Sequence, residues 1–308
     1  MNKRIASFSA ALILLAGCES GGDGATQQPE PVDPVCDSTS VLEGGECLPF
    51  AERIDARATT PFTENGEPVE LEVVLFKPLE GERFPLLVVN HGSTGNGSDP
   101  SRFGETFVHK PTTRHFVEQG WMVAYPQRRG RGRSDGLYDE GFTPNRSGYS
   151  CEAAIALAGA ERALDDIDAV TDWLRLRADV DTTRMLISGA SRGGILSIAY
   201  LARRPEVYLG AINFAGGWSS EGCGDFATIN KTLFVDGAAF PGKSLWIYAE
   251  NDSFYSLGHS QQNFDAFTQA GGVGDFEVFR RDPGLNGHFI INDADRWGGI
   301  VDAYITGL

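Results

Sequence analysis

The stretch Met185-Leu186-Ile187-Ser188-Gly189-Ala190-Ser191-Arg192-Gly193-Gly194 runs from a short apolar segment through a Gly-x-Ser-x-Gly turn into Ile195 to Arg203, which has helical spacing and stops near Pro205. Strand, sharp turn and helix in that order make a nucleophile elbow, in which a serine hydroxyl is lifted above the end of a sheet. Small residues flank the serine because the turn is strained and crowded. The five-residue pattern alone is not specific, since Gly132-Arg133-Ser134-Asp135-Gly136 matches it equally well. Ser134, however, sits in an Arg/Gly-rich loop that runs on into Gly141 and Pro144 with no helix to enter. Ser191 is therefore the candidate nucleophile, and Ser134 reads as a loop serine.

Outward from this turn, the chain alternates strands and helices. Phe84 to Asn90, Trp121 to Tyr125, Met185 to Ser188, Leu209 to Phe214 and Leu245 to Ala249 are continuous apolar runs, the pattern of strands buried on both faces of a parallel sheet. Val69 to Phe76 and Phe276 to Phe279 alternate apolar and polar residues, as half-exposed strands do. Helical spacing predicts helices over Glu161 to Arg177, Ile195 to Arg203, Gln261 to Ala270 and Asp293 to Ile305. The expected fold class is α/β, a doubly wound and mostly parallel sheet with helices on both faces. Sites in such sheets lie beyond the carboxyl ends of the strands.

A serine hydroxyl is a weak nucleophile at neutral pH, so a base must take its proton and a carboxylate must orient that base. After Ser191 the histidines are His259 and His288. Asp252, in Ala249-Glu250-Asn251-Asp252, stands at the turn after an apolar strand and is the expected acid, with Glu250 its rival. His259 follows Asp252 too soon and reads as a surface or rim histidine on the first turn of a helix. His288, in Asn286-Gly287-His288-Phe289, follows the final strand in a Gly-rich loop and is the better base. Two backbone N–H groups should meet an oxyanion. Arg192 supplies one, and the His91-Gly92-Ser93-Thr94-Gly95 loop the other, with Ser93 preferred and Thr94 next; His91 reads as a packed anchor. Trp218, Phe254 and Tyr255 flank the expected site, either lining a pocket or sealing loops. Arg128, Arg129, Arg131 and Arg133 either greet an anionic substrate or form local ion pairs, the second being usual for such a run.

The strand ending in His91-Gly92, the Arg129 to Ser134 loop, the turn at Ser191, Asn251-Asp252 and Gly287-His288 resemble, in that order, the α/β-hydrolase superfamily. Within it residues 54–308 are most similar to bacterial dienelactone-hydrolase-like proteins. The resemblance implies serine hydrolysis of an ester, or less readily of an amide or peptide, through an acyl-enzyme and without a cofactor. Dienelactone hydrolase itself uses a cysteine, and Ser191 stands here instead, so dienelactone chemistry is not implied. Little chain separates Ser219 from Lys243, which leaves no room for a large lid domain. A serine peptidase acting on short peptides and a non-catalytic binding lipoprotein are the competing readings; the ordered Ser, Asp, His set argues against the second.

Composition agrees with a folded domain: 308 residues, 41% of them hydrophobic, are enough for one sizeable core. The net charge of −16 repels phosphate backbones and disfavours nucleic acid as a partner; the expected partners are a small-molecule ester substrate and a membrane surface. Ile5 to Ala16, only 12 residues, is too short to cross an apolar layer about 30 Å thick, but behind Lys3 and Arg4 it has the layout of a secretory signal. Leu15-Ala16-Gly17-Cys18 resembles the lipobox of bacterial lipoproteins, which implies a signal peptide over 1–17 and a lipidated Cys18 anchored in the cell envelope. Glu19 after it favours the outer membrane of a Gram-negative cell. Residues 18–35 are poor in apolar groups and read as a tether. The other four cysteines suit an oxidising compartment; Cys36 pairs with Cys47 to close a small segment over 36–53, leaving Cys151 for Cys223. No two have Cys-x-x-Cys spacing, so metal binding is not expected. Intact mass of the exported protein is expected to give a chain beginning at an acylated Cys18; an unmodified amine there would reject the anchor.

Overall fold

The computed structural model describes residues 36–43 and 46–308. The signal peptide over 1–17, the lipidation at Cys18 and the tether up to residue 35 lie outside the described residues. An antiparallel hairpin of β1 (Ser40–Glu43) and β2 (Glu46–Pro49) precedes β3 (Glu52–Glu64) and β4 (Glu67–Lys77). Then come β5 (Phe84–Asn90), α1 (Lys110–Val117), β6 (Met122–Pro126) and α2 (Ala153–Arg175). The remainder is β7 (Val180–Ala190), α3 (Arg192–Leu201), β8 (Gly210–Phe214), α4 (Phe226–Asp236), β9 (Lys243–Ala249), α5 (Leu257–Gln269), β10 (Val273–Phe279) and α6 (Ala294–Thr306). Strands β3 to β10 form one sheet in the order β10-β9-β8-β7-β5-β6-β4-β3. The six from β10 to β6 are parallel, and β4 and β3 add an antiparallel edge.

Every residue of β5, β6 and β8 is buried, as their unbroken apolar runs require. Helices pack in two sets, α1 with α6 and α2 through α5 with one another, so both faces are covered. Two differences from the sequence reading have simple causes. Helix α2 begins at Ala153 rather than Glu161, because Ala153 to Ala160 is rich in the strongest helix former but carries little polar contrast to reveal a face. Strand β3 was not anticipated: it alternates charged and small residues, and only Ala58 along it is fully buried, so its order comes from pairing with β4. Helices α1 and α4 were also missed. Helix α4 lies in the short span after β8 and packs on α3 and α5 as part of a layer rather than as a lid.

Disulfides join Cys36 to Cys47, with Cα atoms 5.3 Å apart, and Cys151 to Cys223, with Cα atoms 5.1 Å apart. The second ties the entry of α2 to the segment after β8, both at the carboxyl edge of the sheet. The two disulfides point to an oxidising, exported environment. Among the described residues no helix is long and apolar enough to cross a membrane.

The arginine loop is held by charge. Arg128 Nε meets Glu140 at 2.5 Å with both side chains buried, and Arg192 Nη1 lies 3.4 Å from the other Glu140 oxygen. Arg129 pairs with Asp166 at 2.5 Å, Arg133 with Glu72 at 2.7 Å, and Arg131 Nε donates to Phe103 O at 3.2 Å. Three of the four arginines are thus held in local ion pairs, and Arg131 is held by a backbone carbonyl. Burial alone would raise the Glu140 carboxyl, yet Arg128 and Arg192 outweigh it and hold the group below the ordinary carboxylate range. Its stabilising effect is therefore complete above the unfolded pKa of about 4.5 and is lost as pH falls through the lower folded value. Glu140→Gln is expected to cost roughly 3–5 kcal/mol at pH 7 by leaving two buried guanidinium groups unpaired. Urea unfolding of both proteins across pH 3 to 8 checks this: the gap should be full at neutral pH and close on acidification.

Candidate active site

Ser191 occupies the turn between β7 and α3 with φ 56° and ψ −123°, a conformation a serine adopts only when its surroundings impose it. They do so through close backbone approach. A Cβ on Gly189 would run into the Gly193 backbone, and one on Gly193 into the Asn90 carbonyl, which explains both glycines of the motif. Four backbone hydrogen bonds pin the turn: Ser191 N–H donates to Phe214 O at 3.0 Å, and Ser191 O accepts from Gly194, Ile195 and Gly217 at 3.0, 3.2 and 3.1 Å. Ser191 is only half-buried, so its hydroxyl stays reachable.

His288 stands in a short helical turn after β10 and its own N–H is capped by Asn286 Oδ1 at 3.0 Å. Its Nδ1 lies 3.0 Å from Asp252 Oδ2, with the Asp252 side chain 1% and the His288 side chain 8% exposed. The other Asp252 oxygen accepts from the N–H groups of Phe254 and Tyr255 at 2.7 and 3.0 Å. The carboxylate is thus locked by its own loop and leaves His288 Nε2 as the free nitrogen. Glu250 is excluded from this role, because it faces outward onto Arg280 at 2.7 Å.

Tyr255 connects this pair to the serine. Its ring packs against His288 at 5.5 Å between centroids and lies on the backbone of Gly217, and its hydroxyl stands beside the Ser191 side chain. Burial pushes the phenol well up, so it stays neutral. The sequence reading gave Tyr255 only as a lining or sealing residue; nothing in Asp252-Ser253-Phe254-Tyr255 signals a contact across the fold to β7.

Arg192 begins α3, where a helix leaves its first N–H groups without internal acceptors. Its side chain turns away from the site, lying between the rings of Tyr149 and Trp218 at 3.6 and 4.2 Å and donating to Trp218 O and Glu140 O. In the loop after β5, Thr94 N–H is committed to Tyr149 Oη at 3.2 Å, which leaves Ser93 as that loop's candidate donor. His91 is fully buried; its Nε2 accepts from Arg128 N–H at 3.2 Å, and desolvation together with Arg128 keeps it neutral.

Of four other residues, only His259 departs from expectation. Trp218 is 2% exposed and seals against Arg192 instead of lining a pocket, whereas Phe254 is exposed beside His288. His259 is on the first turn of α5 as expected but is buried, not on the rim, with Nε2 accepting from Asn230 and Asn263 at 2.9 and 3.0 Å. Ser134 is a structural serine, donating to Gln127 O at 2.6 Å and accepting from Glu72 N–H at 2.8 Å. Among the described residues no group of three or more His, Cys, Asp or Glu is arranged to hold a metal.

The profile of the X-Pro dipeptidyl-peptidase (S15) family matches residues 65–230, just over half of the chain. The chain belongs to this family. The matched stretch contains the His91 loop and the Ser191 turn, while Asp252 and His288 lie beyond it. Solved structures show the α/β-hydrolase fold. A Klebsiella pneumoniae protein classed as a dienelactone hydrolase is 18% identical with a TM-score of 0.53, over 83% of this chain and 100% of that one. A Pyrococcus horikoshii acylaminoacyl peptidase is 16% identical with a TM-score of 0.59, over 84% of this chain and 42% of that one. A Pyrococcus furiosus esterase is 14% identical with a TM-score of 0.57, over 83% of this chain and 90% of that one. No curated protein matches the chain. This S15-family chain is a hydrolase of the esterase and peptidase type.

A neutral polar contact between two hydroxyl groups is worth about 0.5–1.5 kcal/mol where it is made as a hydrogen bond. Tyr255→Phe keeps the ring and loses the contact with Ser191, so the rate of fluorophosphonate labelling is expected to fall by roughly two- to tenfold with unchanged thermal stability. An unchanged rate would leave the phenol with a packing role only.

Proposed function

We propose that the protein is a serine hydrolase that cleaves a carboxylic ester through an acyl-enzyme, with Ser191 as nucleophile, His288 as base and Asp252 as orienting acid. The observation that carries this reading is the 3.0 Å Asp252 to His288 contact in a chain whose half-buried Ser191 sits on a strained strand-to-helix turn. Because Asp252 holds the proton on Nδ1, Nε2 has the lone pair that accepts the Ser191 proton as Oγ attacks the carbonyl carbon. Backbone N–H groups of Arg192 and Ser93 receive the oxyanion. His288 then returns the proton to the departing alkoxide, and water repeats the sequence on the acyl-enzyme. The S15 match and the acylaminoacyl peptidase likeness favour a second reading, a peptidase releasing short peptides. Export and lipidation at Cys18 would put either activity at the cell envelope.

Ser191→Ala and His288→Ala are each expected to lose about 10³- to 10⁶-fold in kcat while circular dichroism stays native. Asp252→Asn should lose less, and Ser134→Ala should lose stability but keep probe labelling. Parallel assays on a carboxylic ester and on a short-peptide amide decide the substrate class; labelling that survives Ser191→Ala and disappears in Ser134→Ala would overturn the site.

A further inference from the structure

Three aromatic rings surround the His288 imidazole: Phe254 at 4.4 Å, Tyr255 at 5.5 Å and Phe289 at 5.5 Å between centroids. Tyr255 is buried, but Phe254 and Phe289 remain 39% and 48% exposed. They come from different loops, one after β9 and one after β10, and the two loops are fastened together. Asn286 Nδ2 donates to Ser253 Oγ at 2.7 Å, and Ser253 N–H donates to Asn286 Oδ1 at 3.2 Å. Phe254 is held further by its N–H on Asp252 and by its carbonyl, which accepts from Glu221 N–H at 3.2 Å. Two phenyl rings are therefore presented to solvent on a prearranged frame, against the residue that handles the proton.

Chemistry assigns a side to that frame. His288 must give its proton to the oxygen of the leaving group, so this oxygen lies at Nε2 and the carbons attached to it lie against whatever flanks the imidazole. The carbonyl oxygen instead faces the N–H groups of Arg192 and Ser93, on a separate loop and helix end. We propose that Phe254 and Phe289 form the leaving-group subsite and select esters of aromatic alcohols; this rests on the serine-hydrolase reading above. The ring faces reward a flat π-system through offset or edge contacts and give a small alkyl alcohol little to touch. The Asp252 carboxylate beneath is already consumed by His288 and by two backbone N–H groups, so it offers nothing to a polar leaving group.

All acetate esters yield the same acetyl-enzyme, so differences in kcat/KM among them report binding and acylation on the alcohol side alone. The test measures kcat/KM for methyl, cyclohexylmethyl and benzyl acetate, and for methyl acetate against methyl butyrate, in the wild type, Phe254→Ala, Phe289→Ala and Leu176→Ala. Leu176, 86% exposed just past the far end of α2, is the control and should behave as wild type throughout. The expected result is a wild-type preference for benzyl over both other acetates. Each Phe→Ala change should lower the benzyl-to-methyl ratio by roughly two- to tenfold, in line with the worth of an aromatic pair, and leave the butyrate-to-acetate ratio unmoved. A benzyl-to-methyl ratio unchanged in both variants, even with lower absolute rates, would show that the rings only prop His288 and would overturn the subsite. A wild type that labels at Ser191 but shows no benzyl preference would do the same. No ester turnover and no labelling would overturn the hydrolase reading itself, a result distinct from either of these.

Discussion

The turn at Ser191 exists because three strands and a helix meet there with no side chain between them. β5, β7 and β8 end side by side, and α3 starts so close that Gly193 touches the Asn90 carbonyl and Gly189 touches Gly193. A positive φ on a non-glycine residue costs on the order of 1–3 kcal/mol and persists only when surrounding contacts over-determine it. Here four backbone hydrogen bonds to and from Ser191 do so, drawn from β8, from α3 and from the segment that follows β8. The same constraint points the Ser191 hydroxyl out of the sheet and leaves the first N–H groups of α3 open beside it.

Around this turn, a buried charge network ties together segments distant in the chain. Glu140 pairs with Arg128 and Arg192; Arg128 also grips the His91 carbonyl, with Nη1 and Nη2 each at 3.0 Å. The loop after β5, the arginine loop and the first residue of α3 therefore share one electrostatic anchor. Ions buried this deeply stabilise a fold only when each charge is met. What they also do here is hold the loop that carries Ser93 and the start of α3 at Arg192 in fixed relation. The Cys151 to Cys223 disulfide reinforces the same edge by tying the entry of α2 to the segment after β8.

Legibility in the sequence followed the physics of each element. Apolar runs such as Phe84 to Asn90 and Leu245 to Ala249 were readable because strands buried on both faces carry no other pattern. β3 was not, because an edge strand buries almost nothing of its own; α1 and α4 were not, because they are short and rely on neighbouring layers. The turn at Ser191 and the meeting of Asp252 with His288 were readable because such a turn needs glycines at fixed spacing and because loops that follow strand ends come together at one edge of the sheet. The partnership of Tyr255 with Ser191, and the difference between sealed Trp218 and exposed Phe254, carried no local signal. Each depends on a contact made across the sheet.

By itself, then, the sequence determined the alternation of strands and helices, the glycine-flanked serine turn between one strand and one helix, and a cysteine pairing consistent with export. These are local or sequential properties, written in periodicity, glycine spacing and chain order. Only the tertiary structure decided which acids Arg128, Arg129 and Arg133 meet, that His259 is a buried bracket, that Glu250 faces away from His288, and that two phenylalanines stand open beside the imidazole. Charge pairing and exposure are set by what the rest of the chain brings within a few ångströms, and residues dozens of positions apart leave no trace of that meeting in their own neighbourhoods.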